Sequence, residues 1–449
     1  MGDTARRPAT PGRTLAAALL GFFLITLDAS VVNVALPAIG SDLHGGLSAM
    51  QWVVDGYTLA FAALMLSTGA LSDRIGAGRA FTGGVAVFAA ASLACGAAPG
   101  LGPLVGARVL QGAAASVVLP SSLALVRQAY PDAARRARAI SLWAVGGSSA
   151  IALGPVVGGA LTTAWNWRGI FLVNLPVAIV ALLLPDRTGP TERRRVPLDV
   201  PGQLTAVLAL ATLTFAVVEG GEAGWGAAGV AVAATAGFFV IESRHPHPVV
   251  PLGLFRNRVV TVSIAAGAAL SVGFFGMFFV LGLFFQELRG QSALTAGLMF
   301  VPMTMLISTV NVVSGRVTNR YGPRLPMLVG QLVMVAGLLL LLPVDADTPV
   351  ALLAAAMVPL GLGGALAVPP LTAATMGAVP AERAGLAAGV LNAGRQVAGA
   401  LSVALFGTLV GDRSHFLAGM RLSLLIAAAL VSLTAVATAA ALRATPAGG

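Results

Sequence analysis

Several residue types that soluble proteins use heavily are scarce in this sequence. Among 449 residues there is no lysine, one cysteine and four histidines, and charged residues make up 10% of the chain. Soluble domains carry about 25% charged residues, so this composition excludes a water-soluble enzyme, and the net charge of +10 does not indicate nucleic-acid binding. The lone Cys95 excludes an intramolecular disulfide. The histidines fall in predicted loops without further ligands nearby, so they predict no metal site.

Apolar residues dominate instead, at 57% of the chain with a mean hydropathy of +0.89. Because about 20 apolar residues span a bilayer as a helix, we predict an all-α, multi-pass membrane protein. The first apolar run follows three arginines but is longer than the roughly 7–15 residues of a signal peptide, so we interpret it as an uncleaved span. Fourteen segments qualify as spans, at 14–39, 50–71, 80–98, 102–127, 138–163, 168–185, 200–221, 224–242, 258–287, 291–314, 325–342, 349–373, 384–410 and 418–442.

The arginines indicate how these spans are oriented. With a cytoplasmic N-terminus nearly all of them fall on the cytoplasmic side, as the positive-inside rule requires, and an even number of spans then places both termini in the cytoplasm. The two arginines that belong to neither side, Arg108 and Arg395, fall inside spans. The predicted parts are a cytoplasmic N-terminus (1–13), a six-helix bundle (14–185), a linker (186–199), two inserted helices (200–242), a cytoplasmic loop (243–257), a second six-helix bundle (258–442) and a cytoplasmic tail (443–449).

An internal repeat supports this division into two bundles. The segment GALSDRIG at 69–76 recurs as GRVTNRYG at 315–322, each time after the second span of a six-span unit. Duplicated transporters place the substrate cavity between two such halves. The first copy predicts a cytoplasmic latch, although an ordinary charged turn is the alternative. The latch residues are Gly69, Asp73, Arg74, Gly76 and Arg79.

Charged residues inside the spans are the strongest functional signal. Asp28 lies near the middle of the first span, where a carboxylate is costly unless it is paired, protonated or hydrated. Asp55 and Arg108 lie at similar depths, nearer the outer surface, and Gln111 follows Arg108 by about one helical turn. A change of partner would alter the proton affinity of a buried carboxyl. We therefore expect Asp28, Asp55 and Arg108 to couple proton binding to conformational change, with a static ion pair as the alternative.

These segments resemble those of one family. The loop 69–79 is similar to the cytoplasmic loop signature of the major facilitator superfamily. LDASVVNVALPAI (27–39), RVLQGAAAS (108–116), ALGPVVGGAL (152–161), WNWRGIFLVNLPV (165–177) and VEGGEAGW (218–225) resemble motifs of its fourteen-helix drug:proton antiporters. The chain departs from the loop signature at Ala77 and Gly78, where basic residues are usual, and at Asn319, where the second copy lacks the acid.

The resemblance implies a major facilitator fold of two six-helix halves plus two extra helices. It also implies efflux of hydrophobic or amphiphilic drugs in exchange for protons across the bacterial cytoplasmic membrane. The expected partners are drug-like molecules, protons and the bilayer, without nucleic acid or a cofactor, and the expected state is a monomer. The chain has no GxxxxGK[ST] nucleotide motif, which argues against ATP-driven transport. An exporter dedicated to one metabolite is the main alternative, and a non-transporting sensor is a lesser one.

Two further groups of residues are candidates for the transport path. Gly154, Pro155, Gly158 and Gly159 form the antiporter motif, in which small residues permit close helix packing and proline bends the helix; general packing is the alternative. Candidates for the substrate cavity are Asn33, Gln111, Met277, Asn392 and Arg395.

Overall fold

The computed structural model describes residues 11–184, 199–245, 248 and 250–442. Helices connected by short turns make up nearly all of these ranges. The predicted tail at 443–449, most of the linker at 186–199 and most of the N-terminal segment 1–13 lie outside the described residues.

The N-terminal part consists of seven helices, and a hairpin of two helices follows it. Their bounds are α1 Pro11–Asp42, α2 Leu47–Ile75, α3 Ala77–Gly96, α4 Leu101–Ala129, α5 Ala133–Ala164, α6 Gly169–Leu172, α7 Asn174–Leu183, α8 Val200–Glu219 and α9 Gly221–Arg244.

The C-terminal part contains several interrupted helices. A π-helical turn, Val272–Gly276, interrupts one apolar span, and a second, Phe284–Leu288, ends it. Such turns often occur at functional sites. The helical bounds are α10 Arg258–Ser271, α11 Met277–Leu283, α12 Ala293–Met299, α13 Val301–Met305, α14 Ile307–Tyr321, α15 Arg324–Leu340, α16 Val350–Gly377, α17 Ala381–Leu409 and α18 Phe416–Ala441.

Each of the fourteen predicted spans coincides with helical structure, but fewer of these helices meet the requirements for crossing a membrane. Within the described residues, nine helices are long and apolar enough, or ten if the bent pair Ala293–Met299 and Val301–Tyr321 counts as one span. Two other apolar helices, Gly169–Leu183 and Arg324–Leu340, are shorter. The multi-pass architecture is therefore clear, whereas the count of fourteen stays a prediction.

The packing of α1, α2 and α5 defines the two ends of the helix bundle. We call the end that carries the turn between α1 and α2 (43–46) the distal end, and the opposite end the proximal end. Helices α1 and α5 run side by side in the same direction. Two contacts show this: Gly146 lies against Leu19, and twelve residues later Gly158 lies against Val31.

Hydrogen bonds join the N-terminal helices α1–α7 to the C-terminal helices α10–α18 at the distal end. They run from Gln51 to the carbonyls of Val403 and Ala404 (3.2 and 2.6 Å), from Gln286 to the carbonyl of Val34 (3.0 Å), and from the Leu294 amide to Thr163 (3.2 Å). This conformation is therefore closed at its distal end.

The hairpin α8–α9 packs on the outside of the seam between α2 and α17. Gln203 near the start of α8 donates to the Ala63 carbonyl of α2. At the other end of α8, Glu219 accepts hydrogen bonds from Ser48 (2.7 Å) and Trp52 (3.1 Å) of α2. The hairpin is thus fixed to α2 at both ends of α8.

Candidate functional site

A buried ion pair joins α1 and α4. Nη1 of Arg108 lies 2.5 Å from Oδ2 of Asp28, and the two side chains are 1% and 0% exposed. The sequence left open whether Asp28 or Asp55 pairs with Arg108. Although Asp28 was expected to lie deeper than Arg108, the long arginine side chain spans the difference in depth.

Further contacts hold Arg108 in place. Its Nε donates to the Val53 carbonyl of α2 (3.0 Å), and its Nη1 donates to Oε1 of Gln111 (2.7 Å). The guanidinium also lies 4.3 Å from the centre of the Tyr57 ring, within the range of a cation–π contact. These bonds fix the guanidinium plane against both α1 and α2.

The second oxygen of Asp28 accepts two amide hydrogen bonds. Gln111 and Asn174 each donate from their side-chain nitrogen to Oδ1 at 2.8 Å. The same two nitrogens also donate to Oγ of Ser92, at 2.8 and 2.9 Å. Three donors thus face the carboxylate: Nη1 of Arg108 and the side-chain nitrogens of Gln111 and Asn174.

Ser92 and Asn174 were not predicted as site residues from the sequence. Both are 0% exposed, on α3 and at the start of α7. A signal was present, since Asn174 is an uncharged polar residue in the apolar run GIFLVNLPV (169–177). Ser92 gave no comparable signal, because small polar residues are common at helix contacts in membranes.

Asp55 is buried away from the Asp28–Arg108 pair. It is 0% exposed, and neither of its carboxyl oxygens has a hydrogen-bond partner among the described residues.

The cavity candidates lie in different surroundings. Arg395 is half-buried; its Nη1 donates to Asn392 at 3.4 Å, and its enclosed Nε has no partner among the described residues. Asn33 is half-buried and donates to its own helix at Ala29 (3.1 Å). Met277 is fully buried in the apolar core. The remaining candidate, Gln111, is the one that contacts the ion pair.

The glycines of α5 permit close contact with two helices. A Cβ atom on Gly158 would lie 2.7 Å from the Val31 carbonyl oxygen of α1, and one on Gly154 would lie 1.8 Å from Oγ of Ser30. Gly159 on the same helix contacts the backbone of Ala293 at the start of α12. The motif thus packs α5 against both the N-terminal and the C-terminal helices.

Pro155 takes part in the same contact. Its carbonyl oxygen lies against Gly297 of α12, where there is no room for a side chain.

The predicted latch lies at the proximal end. Helix α2 ends at Ile75, and Gly76 adopts a positive φ of 93° before α3 begins at Ala77. Arg74 and Arg79 are exposed, Gly69 is half-buried, and the side chain of Asp73 lies outside the described part of the chain. In the second copy, Gly322 adopts a φ of 77° at the same place after α14, so both copies form the same tight turn.

These features agree with the comparisons to known proteins. Residues 18–403 match the family model of the Major Facilitator Superfamily. The chain belongs to this superfamily. It is therefore a multi-pass integral membrane transporter and not an enzyme.

Two curated relatives narrow the class of transporter. The chain is 36% identical to the methylenomycin A resistance protein of Streptomyces coelicolor, over 94% of this chain and 90% of that protein. It is 37% identical to the multidrug resistance protein Stp of Mycobacterium tuberculosis, over 88% of this chain and 75% of that protein. The transporter is thus of the drug- and antibiotic-resistance efflux type.

A solved structure supports the fold. The transporter superimposes on the peptide transporter POT in complex with sulfate with a TM-score of 0.71 and 16% identity, covering 96% of both chains. At this identity the likeness concerns the fold alone.

Proposed function

We propose that this transporter exports a hydrophobic or amphiphilic drug-like molecule in exchange for protons, by alternating access. The observation that carries the proposal is the buried pair of Asp28 and Arg108. Ionisable groups inside a membrane are costly, and they mark proton and substrate pathways. Coupling requires a carboxyl whose environment differs between conformations.

The pair can supply that difference in environment. Asp28 and Arg108 lie on different helices, and Arg108 also binds the Val53 carbonyl of α2. A movement of α2 and α4 relative to α1 would take the guanidinium of Arg108 away from Asp28. Asp28 would then take up a proton more readily. We assign Asp28, Arg108 and Asp55 to proton coupling, with Asn174 and Ser92 as positioning residues for Asp28.

The helix packing supports a two-part transporter. We propose that residues 14–185 and 258–442 form the two moving bundles, with 200–242 inserted between them, and that fourteen helices cross the bacterial cytoplasmic membrane. With both termini in the cytoplasm, the distal end is extracellular, and this structure is the inward-facing conformation. The molecule acts as a monomer.

Two substrate ranges have specific support. The name of the Stp relative favours a broad range of drugs, whereas the name of the methylenomycin A relative favours a single antibiotic. Growth-inhibition assays in a host that expresses the transporter should distinguish these ranges, with methylenomycin A and a panel of unrelated cationic and neutral antibiotics as probes.

Transport itself can be tested in reconstituted vesicles. Accumulation of methylenomycin A should require an imposed proton gradient, and Asp28→Asn should abolish it. Asp42→Asn is the matched control, since Asp42 forms an exposed ion pair with Arg168 at the distal end. Gradient-independent accumulation, or full activity of the Asp28→Asn protein, would contradict the proposal.

A further inference from the structure

The chain carries a second arginine deep inside a helix, Arg395. It is the fifteenth of the 29 residues of α17 (Ala381–Leu409), so at a rise of about 1.5 Å per residue it lies about 21 Å from either end of the helix. A charged group at this depth in a membrane protein is costly unless it is paired or meets water or a ligand. Arg395 therefore needs a partner, as Arg108 does.

No carboxylate partner for Arg395 is found among the residues that the structure describes. Arg395 takes part in none of their ion pairs, whereas Arg108 is paired with Asp28. Nη1 of Arg395 donates to Oδ1 of Asn392 at 3.4 Å, a long bond to an uncharged group, and the enclosed Nε has no hydrogen-bond partner in this part of the chain. Within the described residues, the guanidinium of Arg395 is thus a positive charge without a counter-charge.

Helix α17 meets a different neighbouring helix on each of four sides. Successive residues of a helix are about 100° apart around its axis, because one turn holds 3.6 residues. Counted from Arg395, the contacts at about 0°, 120°, 220° and 320° are Arg395 on Gly267 of α10, Gly407 on Gln51 of α2, Thr408 on Val217 of α8, and Leu409 on Gly419 of α18.

The sector of α17 between α10 and α2 faces the interior of the transporter. Helix α2 is one of the N-terminal helices and α10 one of the C-terminal helices, and the hairpin with α8 lies outside their seam. Asn392 and Gln396 lie in this sector, about 60° and 100° from Arg395. The stem of Arg395 packs on α10 and its guanidinium reaches Asn392, so the charged group turns into the space between the two sets of helices.

This space lies on the proximal side of the distal closure. Val403, which accepts a hydrogen bond from Gln51 in that closure, comes eight residues after Arg395, or about 12 Å further along α17. The side chains of Asn392, Arg395 and Gln396 are all half-buried rather than enclosed. A molecule that enters from the proximal end therefore meets these three side chains before it reaches the closed distal end.

We propose that Asn392, Arg395 and Gln396 bind an anionic group of the substrate, and that the exported molecules are amphiphiles that carry a carboxylate. The guanidinium presents a planar fork of donors that matches a carboxylate, and the two amide side chains can each donate a further hydrogen bond. Such charge-assisted bonds are stronger than neutral ones, and the bound anion supplies the missing counter-charge. The inference rests on the proposed function, since it names the substrate class of that exporter.

Binding to the full-length protein in lipid nanodiscs tests the proposal without a proton gradient. Dansyl-leucine carries a carboxylate on an apolar body, its methyl ester has the same body without the charge, and dansyl fluorescence reports the binding of each. The wild type should bind the acid at least about tenfold more tightly than the ester, as expected for hydrogen bonds to a charged group. Arg395→Gln should abolish this preference by weakening the binding of the acid, and it should leave the binding of the ester unchanged.

Two further variants serve as controls. Arg395→Lys keeps the positive charge but loses the planar fork, so it should retain only part of the preference for the acid. Arg316→Gln removes an exposed arginine of α14. It should leave the preference intact, because solvent and salt screen a charge at the surface.

The outcomes are separable from those of the transport assay. An acid that binds no more tightly than its ester, or an Arg395→Gln protein that keeps the wild-type preference, would overturn the anion site. If Arg395→Gln does not fold, a full wild-type preference in Arg395→Lys would overturn it equally. Proton-driven transport with equal affinities for acid and ester would refute the site and leave the proposed function standing. A preference that depends on Arg395, without proton-driven transport, would do the reverse.

Discussion

Replacing Asp28 by Asn should both destabilise the transporter and uncouple it from protons. The substitution keeps the size of the side chain but leaves the guanidinium of Arg108, 1% exposed, without its counter-charge. The new amide also presents a donor to groups that are themselves donors, Arg108 on one side and Gln111 and Asn174 on the other.

The size of the effect follows from the burial. Breaking a buried ion pair by removing one partner costs about 3–5 kcal/mol. The double variant Asp28→Asn, Arg108→Gln removes both charges, so it should recover much of the stability lost by the single variant. It should not recover proton-driven transport, because the carboxyl is still missing.

Two assays separate these effects. Denaturant titration in mixed micelles measures the free energy of unfolding of the wild type, both single variants and the double variant, and vesicle transport measures coupling. Asp42→Asn should change stability little, since exposed ion pairs contribute little. Additive losses in the double variant would refute the reasoning, because they would mean that Asp28 and Arg108 do not stabilise each other.

Three further predictions follow from other parts of the molecule. Gly158→Leu should impair export, because the leucine side chain would displace α1 from α5, whereas Gly106→Leu should be tolerated because position 106 faces open space. Vesicle transport compares the two variants, and normal export by Gly158→Leu would refute the packing argument. Gln51→Ala should loosen the distal closure, seen as faster labelling of single cysteines there, and unchanged labelling would remove Gln51 from the gate. The pKa of Asp42 is lowered mainly by a hydrogen bond from Trp167 and next by one from Arg168. The pKa of Asp412 is lowered to about 2, mainly by a hydrogen bond from Ser414 and next by one from His415. Both carboxyls therefore stay ionised between about pH 5 and 8, so Asn at either position should leave the pH profile of efflux unchanged.

The sequence predicts the fold well because its signals are long and local. The apolar runs reflect the length of a helix that spans a bilayer. The repeat at 69–76 and 315–322 reflects the tight turn that each copy forms, at Gly76 and at Gly322. The number of spans was harder to predict, because α2 and α17 are not among the helices that are long and apolar enough to cross a membrane within the described residues. Both helices lie along the seam between the two bundles, where burial in protein tolerates polar residues.

The composition of the site was harder to predict. Asp28, Arg108 and Gln111 stand out as polar residues in apolar runs, but which acid pairs with Arg108 depends on how the helices pack and on the reach of a long side chain. That Asp55 is buried without a hydrogen-bond partner among the described residues was also beyond the sequence, because it depends on how the helices around α2 pack. Asn174 joins the site only through the short helix α7, which brings it within 2.8 Å of Asp28.

The pH dependence of export by purified protein in vesicles tests the central claim most directly. Methylenomycin A accumulation should follow the imposed proton gradient in the wild type and in Asp42→Asn. It should lose that dependence in Asp28→Asn and in Arg108→Ala, and Arg108→Lys should restore it only in part because lysine lacks the planar fork of the guanidinium. An Arg108→Ala protein with the wild-type pH profile would contradict the account and leave the buried pair as a purely structural element.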